Sequence, residues 1–243
     1  MLFLEDYWRM SIKHSKRNPF IKRTPYRKQV IFMNGNILKG FIKNVPQLFE
    51  GVREGETVLI EYSPIINSAA ILYELIIWAK ENDYQVIIDD TLDTLPIYKI
   101  KMDLKGLNSE VLNEIKVVKI GGTLNVGDVI GHLALKEPHI RVKEYLEVAL
   151  PHLDSEKRII NPVLGFEKLL ILSESSREVF TNLSMILSFV STFRRTAFYF
   201  VNVDALEQAI PWALPLLEEI ATTVVELGRV NNALGFSVKS YGF

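Results

Sequence analysis

The chain has 243 residues, 48% of them hydrophobic and 23% charged, with a formal net charge of −1 and no cysteine. That is enough apolar material for a core without covalent staples, and the missing thiol excludes disulfides, thiol catalysis, zinc ribbons and iron–sulfur ligation. No uninterrupted apolar run approaches the ~18 residues that a membrane helix needs, and "MLFLEDYWRM" puts acids where a secretory signal would be basic and then apolar. The expectation is a cytoplasmic protein that makes no use of a membrane.

The charge is unevenly placed. Between Tyr7 and Phe49 there are ten Lys or Arg and no acid, whereas from Glu50 onward there are 18 basic and 27 acidic residues. A basic extension over residues 1–34 is therefore expected to precede one α/β domain over 35–243. The extension, with "RMSIKHSKRNPFIKRTPYRKQ" at its heart, shows no apolar period and reads as flexible. Three readings stay open for it: nucleic-acid binding through charge, folding back on the acidic body, or a segment foreign to the native protein, with Met33 as the natural start.

The body alternates helical and strand patterns. "ILKGFIKNVPQLF" begins helical and stops at Pro46. "TVLIEY" (57–62) is a strand, "SAAILYELIIWAKEN" (68–82) a helix capped by Asn67 or Ser68, and "QVIIDD" (85–90) a second strand. "DTLPIYKIKMDL" is a helix restarted after Pro96, and "EIKVVKI" (114–120) is a third strand. The glycines of "KIGGTLNVGDVIGHLA" read as strand ends with a hairpin or loop. "EPHIRVKEYLEVALPHL" is a helix, "IINPVLGF" (159–166) a strand, "SREVFTNLSMILSFVSTF" a long helix and "TAFYFVNV" (196–203) a strand. "WALPLLEEIA" is a helix, and "TTVVEL" with "GFSVKSY" forms a closing hairpin around "GRVNNAL". Strands apolar on both faces imply a parallel sheet covered above and below. The fold class predicted is a three-layer α/β sheet, mostly parallel, with an antiparallel strand pair at its C-terminal end.

"LFEGVREGETVLIEY", with Gly51 and Gly55 ahead of the strand, resembles the lead-in to the first core strand of RecA-like ATPases, in particular the circadian-clock (KaiC-like) and archaeal recombinase branch. "GETVLIEYS" followed by "IIDDTLDTL" is similar to an uncharacterised archaeal family of degenerate RecA-like domains. The resemblance implies a RecA-like fold over about residues 36–243 and a tendency to self-assemble. It also locates a departure. A phosphate loop reads G-x-x-x-x-G-K-[ST]. Laid after the strand, its glycines fall on Tyr62 and Asn67, its lysine on Ser68 and its hydroxyl on Ala69. Glycine backbone approach, positive charge and the magnesium-binding hydroxyl are all missing. An acid for the later strand is also missing at Gly165, and Glu167, two residues on, reads as a helix N-terminal acid answering the macrodipole.

Other chemistry is sparse. Asp89, Asp90 and Asp93 lie at the C-terminal end of a parallel strand, where open α/β sheets bind ligands. They could take Mg²⁺ or Ca²⁺, or Asp90 could cap the next helix with Asp93 in its first turn. His14, His132, His139 and His152 lack metal-site spacing. Ser173, Ser175 and Ser176 read as a helix start with Glu178 as a capping-box partner, and Arg194 and Arg195 as a helix C-terminus. The expectation is a domain without catalytic, metal or cofactor residues that binds a protein, a peptide or a second copy of itself. Its contact residues would be Tyr62, Ser63, Pro64, Ile65, Asn67, Asp89, Asp90 and Asp93. The alternatives are a metal-dependent enzyme using Asp89, Asp90 and Asp93, and nucleic-acid binding through the extension.

Overall fold

A computed structural model describes residues 45–153, 156–189, 195–230 and 233–240. The chain divides into Met1–Leu38 and Lys39–Phe243, and every described residue belongs to the second unit. The basic extension, His14, Met33, the opening of "ILKGFIKNV" and Arg194 lie outside the described residues.

The elements follow in the order α1 (Val45–Gly51), β1 (Thr57–Tyr62), α2 (Ser68–Glu81), β2 (Gln85–Thr91), α3 (Thr94–Asp103), a 3-10 turn (Ser109–Leu112), β3 (Lys116–Ile120), β4 (Asp128–Leu133) and α4 (Pro138–Leu153). Then come β5 (Ile159–Leu164), α5 (Phe166–Ile171), α6 (Ser176–Phe189), β6 (Arg195–Asn202), α7 (Val203–Ala209), α8 (Ala213–Ile220), β7 (Thr223–Val230) and β8 (Ala233–Ser240). The strands form one sheet in the order β4-β3-β2-β5-β6-β1-β7-β8. Every neighbouring pair is parallel except β7 with β8. This is the three-layer α/β architecture that the sequence predicts.

The two faces carry separate cores. On one, Val58, Ile60, Ile88, Val117, Ile160, Phe198 and Phe200 meet Leu48 and Phe49 of α1, Leu72, Leu75 and Ile76 of α2, and Leu95, Tyr98 and Met102 of α3. On the other, Leu59, Ile87, Val118, Val163, Tyr199 and Val201 meet Tyr145, Leu170, Val179, Leu183, Ile186, Leu206 and Leu217 from α4 to α8. Side chains alternate between faces along each strand, so consecutive residues serve opposite layers. That explains why β1, β5 and most of β2 and β6 read as continuous apolar runs.

Several expectations change. Pro46 lies in the first turn of α1 rather than ending a helix, and Pro96 lies in the first turn of α3 rather than marking a restart. A first-turn proline sacrifices no intrahelical hydrogen bond. The glycine-rich "GGTLNVGDVIGHL" holds no hairpin: β4 pairs parallel to β3, from Lys116 opposite Asp128 to Ile120 opposite Leu133. Short helix α5 follows β5 with Glu167 in its first turn, as the sequence suggests, whereas α7 follows directly on β6, where the sequence suggests no helix. Arg195 opens β6 instead of ending a helix.

Gly131 shows why β4 escapes an alternating-pattern reading. A Cβ at Gly131 would collide with Cγ1 of Val148 on α4, so the strand is bare where the helix rests on it. Gly131→Ala is expected to cost about 1–3 kcal/mol in urea denaturation, the usual range for overpacking. Pairing it with Val148→Ala is expected to recover most of that loss.

Candidate functional site

β1 lies between β6 and β7, and its C-terminal end passes through residues 63–67 into α2. This is the place at which a strand–turn–helix element would cradle phosphate. The turn closes on itself instead. Ile66 N–H donates to the Ser63 carbonyl (2.9 Å), Ser68 N–H to the Ile66 carbonyl (3.0 Å) and Ala70 N–H to the Asn67 carbonyl (3.2 Å). Pro64 has no N–H to offer. Asn67 occupies the N-cap position of α2 without a side-chain capping bond, contrary to the cap that the sequence suggests for it or Ser68. Ser63 Oγ donates to Asp204 Oδ2 on α7 at 2.6 Å, which ties the turn to the element after β6.

The apolar residues of the turn divide into two groups. Tyr62 and Ile66 are 7% and 4% exposed and belong to the core over α2 and α3. Ile65 is 74% exposed, beside an exposed Pro64. The Tyr62 ring enters a cluster of hydroxyls in which Ser68 Oγ donates to Tyr98 Oη at 2.9 Å. Burial, and then the charge of Glu167, push the Tyr62 phenol up to about 12.

The three aspartates of "IIDDTLD" do not converge. Asp89 points into the layer under α4, where its Oδ2 accepts from Tyr145 Oη at 3.0 Å. Asp90 points to the opposite face, where its Oδ1 accepts from Leu95 N–H at 2.8 Å, so it does bind the start of α3. Asp90 and Asp93 share the fully buried ammonium of Lys119 from β3, at 2.8 and 2.5 Å. Lys119 also donates to the Leu124 carbonyl at 2.7 Å, which engages all three of its protons. The Asp93 carboxylate further accepts from Thr123 N–H (2.9 Å) and Leu124 N–H (3.0 Å). Lys119 first, then these amides, hold the Asp93 carboxyl down at about 2 despite some desolvation. Among the described residues no group of three or more His, Asp or Glu is placed to hold a metal ion.

This latch accounts for local strain. Leu92 and Asp93 have φ of 51° and 55°, in the left-handed region that costs a non-glycine residue energy. Gly122 sits at φ 75°, and a Cβ there would land on the Asp93 carboxylate. Sequence reasoning missed Lys119. The available signal was a lysine inside "KVVKI", a run otherwise apolar on both faces.

Two further carboxyls are buried. Glu167, 3% exposed in the first turn of α5, is raised to about 7 by burial, against its own backbone N–H, Lys168 and the Asn202 backbone. Glu61, 2% exposed on β1, is raised to about 7 by burial, against Lys239, whose Nζ lies 2.6 Å from it. Burial likewise raises Asp89 to about 6, although Arg195, Tyr145 and Asn161 pull the other way.

The remaining candidates are structural. Ser175 Oγ accepts from Glu178 N–H at 3.3 Å, and Glu178 Oε2 accepts from Glu174 N–H at 3.0 Å, a capping arrangement displaced by one residue from the expected box. His152 Nδ1 lies 3.1 Å from Lys116 Nζ, and His139 lies 3.6 Å from Glu137.

Two outcomes follow from these charges. Lys119→Met leaves two carboxylates without their cation and is expected to cost about 3–5 kcal/mol by denaturant melt. For pH, Glu61, Asp89 and Glu167 have folded pKa values above their usual ones, so their contribution to stability is complete below about pH 4 and is lost as pH rises through about 6–7. Asp93 has a lowered value, so its contribution is present above about pH 4 and is lost toward about pH 2. Calorimetry is expected to give a higher melting temperature near pH 5 than near pH 8. Glu167→Gln is expected to reduce that difference.

The sequence matches, over residues 47–241, the family described as "Pyrococcus protein of unknown function, DUF257". No curated protein matches it. Among solved structures, the Pyrococcus horikoshii OT3 protein of the structural study PH0250 is 31% identical, with a TM-score of 0.70 over 82% of this chain and 92% of its own. The KaiC-like protein PH0186 from Pyrococcus horikoshii OT3 is 13% identical, with a TM-score of 0.51 over 79% of this chain and 81% of its own. The uncharacterised Pyrococcus horikoshii protein PH0321, crystallised with an unknown peptide, is 12% identical, with a TM-score of 0.54 over 81% of this chain and 89% of its own. The last two likenesses show the fold, which is RecA- and KaiC-like. The family match covers most of the chain and the 31% identity extends over nearly all of a solved relative: the chain belongs to the DUF257 family of Pyrococcus proteins.

Proposed function

We propose that this domain is a RecA-like module with a degenerate phosphate loop, which does not hydrolyse nucleotide and which binds a protein, a peptide or a second copy of itself at the C-terminal edge of its sheet. The observation that carries this reading is the turn after β1. Its amides at Ile66, Ser68 and Ala70 are bonded to the turn's own carbonyls, and no glycine or lysine stands among residues 62–69. Tyr62 and Ile66 fill from within the space that a working loop leaves for phosphate, while Ile65 faces outward on the same turn. On this reading Tyr62, expected as a contact residue, acts as a plug, and Ile65 makes the contact. The peptide bound by PH0321, a protein of the same fold, supports a peptide-sized partner.

Ser63, Pro64 and Asn67 belong to the contact with Ile65. Asp90 and Asp93 serve it indirectly, by fixing the turn after β2 from which α3 carries Tyr98 to Ser68 at the head of α2. Calorimetry with millimolar Mg·ATP is expected to give no saturable heat, and saturable binding would overturn the non-catalytic reading. Ile65→Ala is expected to change stability by less than about 1 kcal/mol, as for an exposed site. Ile65→Asp is expected to leave the melt intact and abolish self-association in light scattering, or capture of a partner by the immobilised domain. An Ile65→Asp protein that associates like the wild type would exclude this turn as the contact.

A further inference from the structure

Asp89 is the one aspartate of its cluster that neither the cap nor the Lys119 latch uses. It lines a small cavity between the sheet and the layer of α4, α5 and α6, together with Thr91, Tyr145, Phe166, Arg195 and Tyr199. Asp89 and Thr91 are 4% and 0% exposed. Among the described residues Asp89 Oδ1 and Thr91 Oγ1 have no hydrogen-bond partner, although Asp89 Oδ2 is bonded to Tyr145. Because they stand two apart on β2, both side chains project from the same face of the strand. Two orphaned polar atoms thus line one cavity.

Size and charge restrict what can occupy it. The centre of a water-sized sphere has about 10 Å³ in which to move, close to the roughly 10–15 Å³ that holds a single water molecule. Any organic ligand is too large. A cation would stand against the buried Arg195 guanidinium, and an anion against the Asp89 carboxylate. What remains is a small neutral molecule that can both donate and accept.

We propose that this cavity is an internal hydration site holding one ordered water, which donates to Asp89 Oδ1 and shares a hydrogen bond with Thr91 Oγ1. The water completes a buried polar chain. Tyr145 donates to Asp89, Arg195 Nε donates to Asn161 Oδ1 at 2.7 Å, and Asn161 Nδ2 donates to the Ile87 carbonyl at 2.6 Å. Through Asp89 the water and Tyr145 join β2 to α4, beside the side-chain bonds that cross from β6 through β5 to β2.

A crystal structure of the full chain, at a resolution that shows ordered solvent, is expected to hold one water within hydrogen-bond distance of both atoms. A dry cavity there would overturn the assignment. In solution, relaxation dispersion of the water oxygen counts long-lived internal waters. Thr91→Val is expected to lose one of them relative to the wild type, and Thr91→Ser to retain it. An unchanged count in Thr91→Val would also overturn the assignment. Should Thr91→Val fail to fold, the wild-type crystal structure still decides.

Discussion

A parallel sheet covered on both faces leaves its central strands no solvent side. Every polar residue on them must find its partner inside the protein, because an unpaired buried group carries the full cost of losing water. That constraint orders the rest of this structure. β2 sends Asp89 to one layer and Asp90 to the other, and each meets a different answer: a tyrosine on α4, and a lysine on β3 together with the first turn of α3. Glu61 on β1 meets Lys239 from β8, and Asn161 on β5 meets Arg195 from β6. The strands are held in register by these crossings as well as by their ladders.

Lys119 shows how such a pairing shapes a loop. Its stem runs through the core, and its ammonium emerges where the turns after β2 and β3 meet. The Asp93 carboxylate is drawn in far enough to force left-handed backbone at Leu92 and Asp93 and to demand glycine at 122. Strain of this kind persists only where surrounding bonds over-determine it. Here Asp93 accepts from Lys119, Thr123 and Leu124 together. The edge of the sheet that could otherwise open toward a ligand is, at β2 and β3, tied shut by an internal cation.

Legibility in the sequence followed the same division. β1, β2, β5 and most of β6 were readable because burial on both faces makes a strand a plain apolar run. α2 was readable from its apolar stripe, and α6 from its stripe and its start at Ser175 and Ser176. β4 was not, because an edge strand with Gly131 under Val148 and a half-buried face carries no such run. Arg195 was misplaced because buried arginine at the head of a strand looks the same in sequence as arginine at the end of a helix. The acids were seen, but their partners were not. Lys119 lies 26 residues beyond Asp93, and a single sequence does not say which face of which neighbouring strand a lysine will reach.

The turn after β1 is the place where architecture and chemistry separate. A strand–turn–helix element needs only a buried strand, a short reversal and a helix with a buried face, and Thr57–Glu81 supplies all three. Glycine in such a turn serves to aim amides outward. Once the amides are bonded inward, glycine has no task there, and bulky residues can take its place. Tyr62 contributes a ring to the core, and its hydroxyl joins Ser68 and Tyr98, so this side of the turn is part of the fold. The part of the turn that the core does not use is the outward side of Pro64 and Ile65.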